Sequence, residues 1–487
     1  MLKQVSCGVT LWLLICSVAM ESLANEPLQN WHQFRGPLGT GVAPTGNPPL
    51  EWSSAENIKW KVPIPGRGSA SPIVWGDRIF IVTAIKTDRT ADGVESTTDI
   101  ARPTITPVAY SPERLLAQRD DNRRGDGQRP GDGRGRDFGR GGRGGGSRFG
   151  IVPPTNYYQF VVLCLDRNSG ETLWSRTAIE AVPHEGHHGT SSFAAASPVT
   201  DGENLYVSFG SRGIYSFDLD GNRRWQRDFG PMQTSNSFGE GTSPALYGDT
   251  LVINWDHEGD SLIAALDART GETKWQKPRD EGTTWSTPLI VAGGGRTQII
   301  TSGSNRIRSY DLSNGDLIWE CGGLGSNPIP VPIVSEGLVV CMTGHRDPAG
   351  IAVPLDAKGD VTRSETIAWQ VTDTPYIASP VLYDGLLYFT KGRNAILSCL
   401  NPKTGEYVYD NERLPDMETL YSSPVAAAGR LYISSREGTT VVVKAGREPD
   451  ILATNTLGDE IIDATPAIVG NEMFIRGEEN LYCISQE

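Results

Sequence analysis

Past residue 20 the sequence contains no apolar run long enough to span a bilayer, and no stretch sustains a helical period. A helical bundle and a body that crosses a membrane on helices are both excluded by this. The chain lacks Cys-x-x-Cys-His, which rules out covalently attached c-type haem, and it lacks a nucleophile elbow, a phosphate loop and a zinc-protease motif. Cysteine is sparse. Of seven cysteines, Cys7 and Cys16 precede an expected cleavage site. Cys164, Cys399 and Cys483 take matching places in Leu-Cys-Leu-Asp, Ser-Cys-Leu-Asn and Tyr-Cys-Ile-Ser, which suits small buried hydrophobes. Cys321 and Cys341 could pair in an oxidising compartment, a question the spacing leaves open.

What the chain has instead is short β-branched runs and tight turns, with 56 glycines in 487 residues. Ser243-Pro244-Ala245-Leu246-Tyr247-Gly248-Asp249-Thr250-Leu251-Val252-Ile253 states the unit: a small residue, proline, an apolar run, a Gly-Asp turn and a second run. A third run then ends at Leu266-Asp267, and Gly271-Glu272-Thr273-Lys274-Trp275 closes the unit. The plan recurs around Pro72, Pro198, Pro288, Pro332, Pro380, Pro424 and Pro466. From Pro198 onward the spacing is 42 to 48 residues, the length of a four-stranded propeller blade. The expected fold is all-β, an eight-bladed β-propeller of four-stranded antiparallel blades. Residues 58–62 match the end of a repeat that has no earlier strands, while the last repeat lacks its final strand. The N-terminal strand should therefore close the ring as the outer strand of the C-terminal blade, leaving no open seam.

Residues 1–24 read as a signal peptide, with Lys3, an apolar stretch from Val9 to Met20, and Ser22-Leu23-Ala24 before the cut. Export to the periplasm or beyond is expected. Lipid anchoring through Cys16 is not, because Ile15 stands where a small residue is needed. Residues 25–51 form an irregular arm, and the propeller spans 52–487. Blade one is broken by an insertion at about 86–156, whose core at 119–150 carries nine arginines and five aspartates among many glycines and reads as disordered. The whole chain is at −14, so that segment's +4 leaves −18 on the rest. An acidic body argues against nucleic acid as a partner. A monomer is expected.

Blades one to four close on Trp174, Trp225, Trp275 and Trp319, blade five on Trp369, blade six on Tyr409, and blade seven drifts to Leu452. A tryptophan repeated at one place per blade reads as a wedge between neighbours. The Asp-x-x-x-Gly-x-x-x-Trp closings led by Asp166, Asp267 and Asp311, together with the Ser/Thr-Pro openings, make the chain resemble the pyrroloquinoline-quinone-type propeller family. That family includes quinoprotein alcohol dehydrogenases and the outer-membrane-assembly lipoprotein. The segment from Trp31 to Pro37 resembles the leader of an exported subgroup of such propellers. The likeness covers roughly Trp52 to the C-terminus and implies a fold more specifically than a function.

Strand parity puts the turn between strands two and three, and the connection to the next blade, on one face. The unusual polar clusters all fall there. Arg212, Arg306, Arg346, Arg393, Arg436 and Arg476 predict a basic ring, with Trp285 beside it, suited to an anionic ligand. Asp256, Glu258 and Asp260 form an acidic loop that could offer oxygens to calcium, and His184, His187 and His188 are candidate metal ligands. The resemblance implies pyrroloquinoline quinone and calcium as possible cofactors. The chain nevertheless departs from the dehydrogenases in having no Cys-Cys pair, and no catalytic residue is carried over. The reading is an exported, non-catalytic binding or scaffold propeller that uses its loop-rich face to bind a protein or an anionic ligand or glycan. The alternative is a quinone-dependent dehydrogenase of alcohols or sugars.

Overall fold

In the computed structural model a first strand begins immediately after each of the eight prolines, from Ile73–Trp75 after Pro72 to Ala467–Val469 after Pro466. Proline sits one residue ahead of the ladder, where its missing N–H costs no sheet bond. The structure describes residues 27–91, 150–293 and 295–486. The expected signal peptide and the core of the Arg/Gly-rich insertion lie outside the described residues. The chain divides into two compact units, and the second, Ala91–Gly146, falls almost wholly outside them.

The first unit holds eight antiparallel sheets of four strands, one of them extended by a fifth. Blade one is completed across the insertion, with Arg78–Thr90 pairing with Asn156–Asp166. The ring closes as the repeat phase requires: Ile58–Pro63 pairs antiparallel with Asn480–Ile484, with Trp60 opposite Cys483. Blade five departs from the plan. Its Gly359–Asp360 pairs in parallel with Leu317–Cys321 and covers the outer edge of blade four.

Two sets of contacts join the blades. Around the axis, the residue before each proline offers its backbone N–H to the hydroxyl of the equivalent residue in the next blade. Ser71 N bonds Ser197 Oγ (3.0 Å), Ser197 N bonds Ser243 Oγ (2.9 Å), and Ser243 N bonds Thr287 Oγ1 (3.2 Å). Val331 N bonds Ser379 Oγ (3.1 Å), Ser379 N bonds Ser423 Oγ (2.9 Å), Ser423 N bonds Thr465 Oγ1 (3.0 Å), and Thr465 N returns to Ser71 Oγ (3.1 Å). The circle is open only between blades four and five, where Val331 has no oxygen to offer Thr287.

At the periphery the repeated tryptophans do wedge between blades. The indoles of Trp60, Trp174, Trp225, Trp275 and Trp369 donate to the carbonyls of Arg167, Leu219, Ala268, Leu312 and Pro402 in the following blade, at 2.8 to 2.9 Å. The glycine of the following blade's turn receives each ring face. A Cβ on Gly271, for example, would stand 2.7 Å from the Trp225 indole, at a φ of +73°. Trp319 is the exception. It is fully buried and its Nε1 has no partner, because the turn of blade five has moved away to form the fifth strand.

The N-terminal arm crosses the face opposite the connections. Trp31 pairs with Val74 of blade one, His32 O accepts from Thr200 N of blade two, and Ala43 N and Asn47 N bond Ala426 O and Gly470 O of blades seven and eight. Arg35 enters the axis. Its guanidinium donates to Pro424 O (2.7 Å), Pro380 O and Thr40 O (2.9 Å), with no carboxylate beside it, and burial pulls its pKa down to about 9.

Val331→Thr is nearly isosteric and supplies the missing acceptor for the Thr287 N–H. It should stabilise the protein by about 1 kcal/mol, read as a rise in the urea midpoint. Gly271→Ala must displace Trp225 and strain a left-handed backbone. It should lower the same midpoint by more than about 1 kcal/mol, with the circular-dichroism spectrum preserved.

Candidate functional site

The connections between blades converge on one end of the axis and surround a cavity of about 250 Å³. All seven hydroxyls of the axial circle line it, with Phe34 of the arm and Ile329. Phe238, Trp285, Tyr376 and Tyr421 supply aromatic walls, and Arg393, from the second turn of blade six, is exposed at the mouth. Trp285 is fixed by its indole bond to Gly239 O (2.7 Å). Arg393 Nη1 donates to Tyr421 Oη (3.2 Å) while its guanidinium lies 6.0 Å from the centre of the Tyr376 ring. His345 stacks on the same Tyr376 at 5.0 Å. Turns between strands two and three and blade-to-blade connections therefore do share a face, as strand parity requires.

The basic ring is mostly spent on the protein itself. Arg436 is paired with Asp463 at 2.6 Å, and Arg306 with Asp360 at 2.9 Å and Glu320 at 3.6 Å. Arg476 does not reach the surface at all. It is 2 % exposed, its guanidinium bonds Val82 O at 2.7 Å, and burial pulls it down to about 9. Arg212 is half-buried near Glu240. Among the described residues Arg346 and Arg393 are exposed and carry no ion pair, and of these Arg393 lines the cavity.

The acidic loop of blade three is not an ion cradle. Asp256 is 3 % exposed and grips Arg279, with Oδ1 at 2.7 Å from Nε and Oδ2 at 3.0 Å from Nη2, and it also accepts from Thr284 Oγ1 and Asn254 Nδ2. Arg279 continues to Thr301 Oγ1 (2.9 Å) and Tyr310 Oη (2.7 Å) in blade four. Burial opposes its charge, but Asp256 and Tyr310 outweigh that and hold its pKa above the ordinary value. Glu258 accepts from Thr283 (2.8 Å), and Glu258 and Asp260 are exposed. The loop holds a buried ion pair through which blade three reaches blade four, and its basic member, Arg279, was passed over in the sequence reading.

The three histidines also separate. His187 packs edge-on against Phe193 at 4.5 Å, and His188 shares its Nδ1 with Thr190 Oγ1 at 2.8 Å. His184 lies apart with its Nε2 on Met232 O. Among the described residues, His184, Glu185 and Glu240 bring ligand atoms within 4.8 Å of one another and could hold a metal ion. Glu240 was invisible to sequence reading because it comes from the next connection. Burial raises its pKa to about 7 against the hydrogen bonds from Ser211; burial raises Glu185 too, and lowers His184. Cys321 and Cys341 are free, buried thiols pushed up to about 11 and about 12.

The family model described as outer membrane protein assembly factor BamB matches residues 159–411, more than half of the chain. The chain belongs to that family. No curated protein matches it. Among solved structures, BamB from Moraxella catarrhalis is 14% identical, with 68% of this chain and 95% of that one covered and a TM-score of 0.49. The quinohemoprotein alcohol dehydrogenase from Comamonas testosteroni is 9% identical, with 96% and 82% covered and a TM-score of 0.57. At such identity the second likeness shows the fold alone. Pyrroloquinoline quinone, with three carboxylates, does not fit the cavity's charges. Arg393 is the unpaired cation on its wall, Arg436 is committed to Asp463, and Glu240 and Asp463 line the same space. No helix among the described residues is long and apolar enough to cross a membrane.

Two outcomes follow from this geometry. Asp256→Asn leaves Arg279 buried without its counter-charge and should cost about 3–5 kcal/mol in denaturant unfolding, whereas Asp260→Asn should cost nothing measurable. Because the folded protein holds Glu240's proton more tightly than the unfolded chain does, this group's contribution is fully present below pH 4.5 and is lost as pH rises to about 7. Glu240→Gln should therefore gain on the parent protein across that window, in thermal melts run from pH 4.5 to pH 7.5.

Proposed function

We propose that this protein is an exported, non-catalytic binding propeller that captures an acidic protein segment or another anionic ligand at the mouth of its axial cavity. The observation that carries this reading is Arg393, exposed at the mouth, braced by Tyr421 and Tyr376, and free of any carboxylate among the described residues. A guanidinium held by aromatic faces loses little side-chain freedom on binding and presents its remaining donors to a carboxylate or phosphate. Aromatic walls beside an arginine make the composition typical of binding hot spots. Membership of a family named for an assembly factor agrees with a binding role, and the signal-like residues 1–24 support export.

Arg306 and Arg436 are already neutralised by their carboxylates, so the test falls on Arg393. Arg393→Glu should weaken binding to an array of acidic peptides at least tenfold, with the melting temperature unchanged, while Arg306→Gln should have little effect. Equal binding by the Arg393 variant would end the proposal. The dehydrogenase alternative predicts a stoichiometric chromophore and dye-linked alcohol oxidation once the protein is incubated with pyrroloquinoline quinone and calcium. Neither is expected.

A further inference from the structure

The connection from blade one to blade two and the connection from blade two to blade three meet over a second, smaller cavity of about 50 Å³. His184 and Glu185 come from the first connection and Glu240 from the second, and all three line that space with Ser211 and Met232. Each offers a ligand atom within 4.8 Å of the other two. Nε2 of His184 stands 3.9 Å from Oε1 of Glu240, and the two side chains are 25 % and 18 % exposed. Two ligands held at about 2 Å from one ion stand up to about 4 Å apart, so an ion fits between these atoms with little movement.

Charge gives a second reason. Glu185 and Glu240 repel one another across the cavity, and among the described residues neither is ion-paired with a lysine or arginine. Arg212 lies near Glu240 without reaching ion-pair distance. The donors that do reach the carboxylates are neutral. Ser211 N (2.7 Å) and Ser211 Oγ serve Glu240, while Thr234 N (3.2 Å) and Thr234 Oγ1 serve Glu185. Such bonds aim the oxygens but bring no positive charge, and water would bring none either. Carboxylates taken out of solvent are paired with a cation or coordinate a metal. Donors of this kind are also what surrounds the ligands of a metal, fixing their direction before the ion arrives. The backbone makes room for the arrangement: Gly210, at a φ of +53°, has no Cβ in the space that Oε2 of Glu240 fills.

We infer that His184, Glu185 and Glu240 form a site for one divalent transition ion of the zinc class, which fastens the two connections together and keeps one ligand position open to the cavity. Nε2 of His184 donates to Met232 O at 2.5 Å in the metal-free protein. On binding, the neutral ring carries its proton on Nδ1, the other tautomer, and Nε2 faces the ion. An imidazole with two carboxylates suits zinc, whereas calcium asks for six to eight oxygens that this cluster does not supply. The site does not rest on the reading of Arg393. Its effect on the mouth is positional: Gly239, next to Glu240, accepts the indole bond of Trp285, so the ion steadies one aromatic wall of the axial cavity.

The test is calorimetric titration of zinc chloride into the full-length protein after a chelator has stripped it, with calcium chloride in parallel. One equivalent of zinc should bind with micromolar affinity or better and raise the melting temperature, and calcium should give no saturable heat. Glu240→Gln and His184→Gln each remove a ligand at similar volume and should weaken zinc at least about tenfold, since even the loss of a group that only orients a ligand costs that much. Glu240→Gln guards against misfolding, being expected to melt no lower than the parent without metal. His187→Gln, on the same loop but outside the cluster, should bind zinc as the parent does. Cobalt(II) in place of zinc should give visible absorption bands that both ligand variants lose. No saturable zinc binding by the parent, calcium bound more tightly than zinc, unchanged affinity in both ligand variants, or an equal loss in His187→Gln overturns the inference. Acidic-peptide capture through Arg393 is measured on the metal-free protein, so either reading can fail without the other.

Discussion

Seven of the eight blades begin with a backbone N–H whose partner is a hydroxyl in the next blade, and the rest of the molecule depends on that arrangement. A four-stranded sheet with two apolar faces cannot stand alone. It must be covered on both sides, and in a ring each cover is another blade in the same situation. The peripheral tryptophans supply area, but a wedge alone permits sliding. The inner bonds set the register of blade against blade near the axis, where the sheets are closest, and the pairing of Ile58–Pro63 with Asn480–Ile484 then shuts the circle. Where the inner link fails, between blades four and five, the structure has a different connection. The Gly359–Asp360 strand pairs across that interface, and Gln298 of blade four donates to Leu355 O of blade five at 3.0 Å.

Buried arginines show two ways of meeting the cost of an interior charge. Arg279 is answered by a bidentate carboxylate, so its charge is favoured and the pair locks blade three to blade four. Arg35 and Arg476 have no carboxylate and lean on carbonyl oxygens, at Pro424 and Val82 among others, and burial lowers both guanidinium pKa values. Carbonyl dipoles converging on a cation do the work of a counter-ion at places where a carboxylate would itself have to be buried. In each case the arginine joins segments distant in sequence, which suits a residue with five donors in a fixed fork.

The fold was legible because its cause is periodic. Proline, small residue, glycine and tryptophan recur at fixed places, so blade number, strand count and ring closure could all be read from spacing. The site was legible only as a face. Strand parity put Arg393 and Trp285 on the correct end, yet gave every arginine there equal weight, because sequence does not show that Asp463 waits for Arg436 or that Arg476 turns inward. Asp256 looked like an ion ligand for the same reason: its partner Arg279 is 23 residues away, in the next connection. Glu240 and Tyr421 have no local motif and meet the others only through the ring. The Ser/Thr before seven of the eight prolines was visible throughout, but as punctuation for a strand. What marks it as part of a site is the convergence of seven such hydroxyls on one cavity.

That convergence constrains what the cavity can become. Its polar lining is made of the same atoms that hold the blades in register, so a change that retunes the ligand also alters the joint between two blades. The aromatic walls and Arg393 stand on the connections and turns above, outside that circle of bonds, although Trp285 ties its connection to Gly239 O and Pro328 O in the neighbouring ones. The arm completes the division. With Arg35 bonded to carbonyls of blades six and seven and Phe34 against the cavity, the lower end of the axis is occupied by protein, and a ligand must enter past Tyr376, Tyr421 and Arg393. Recognition in this propeller should therefore diverge first at the mouth and last at the circle.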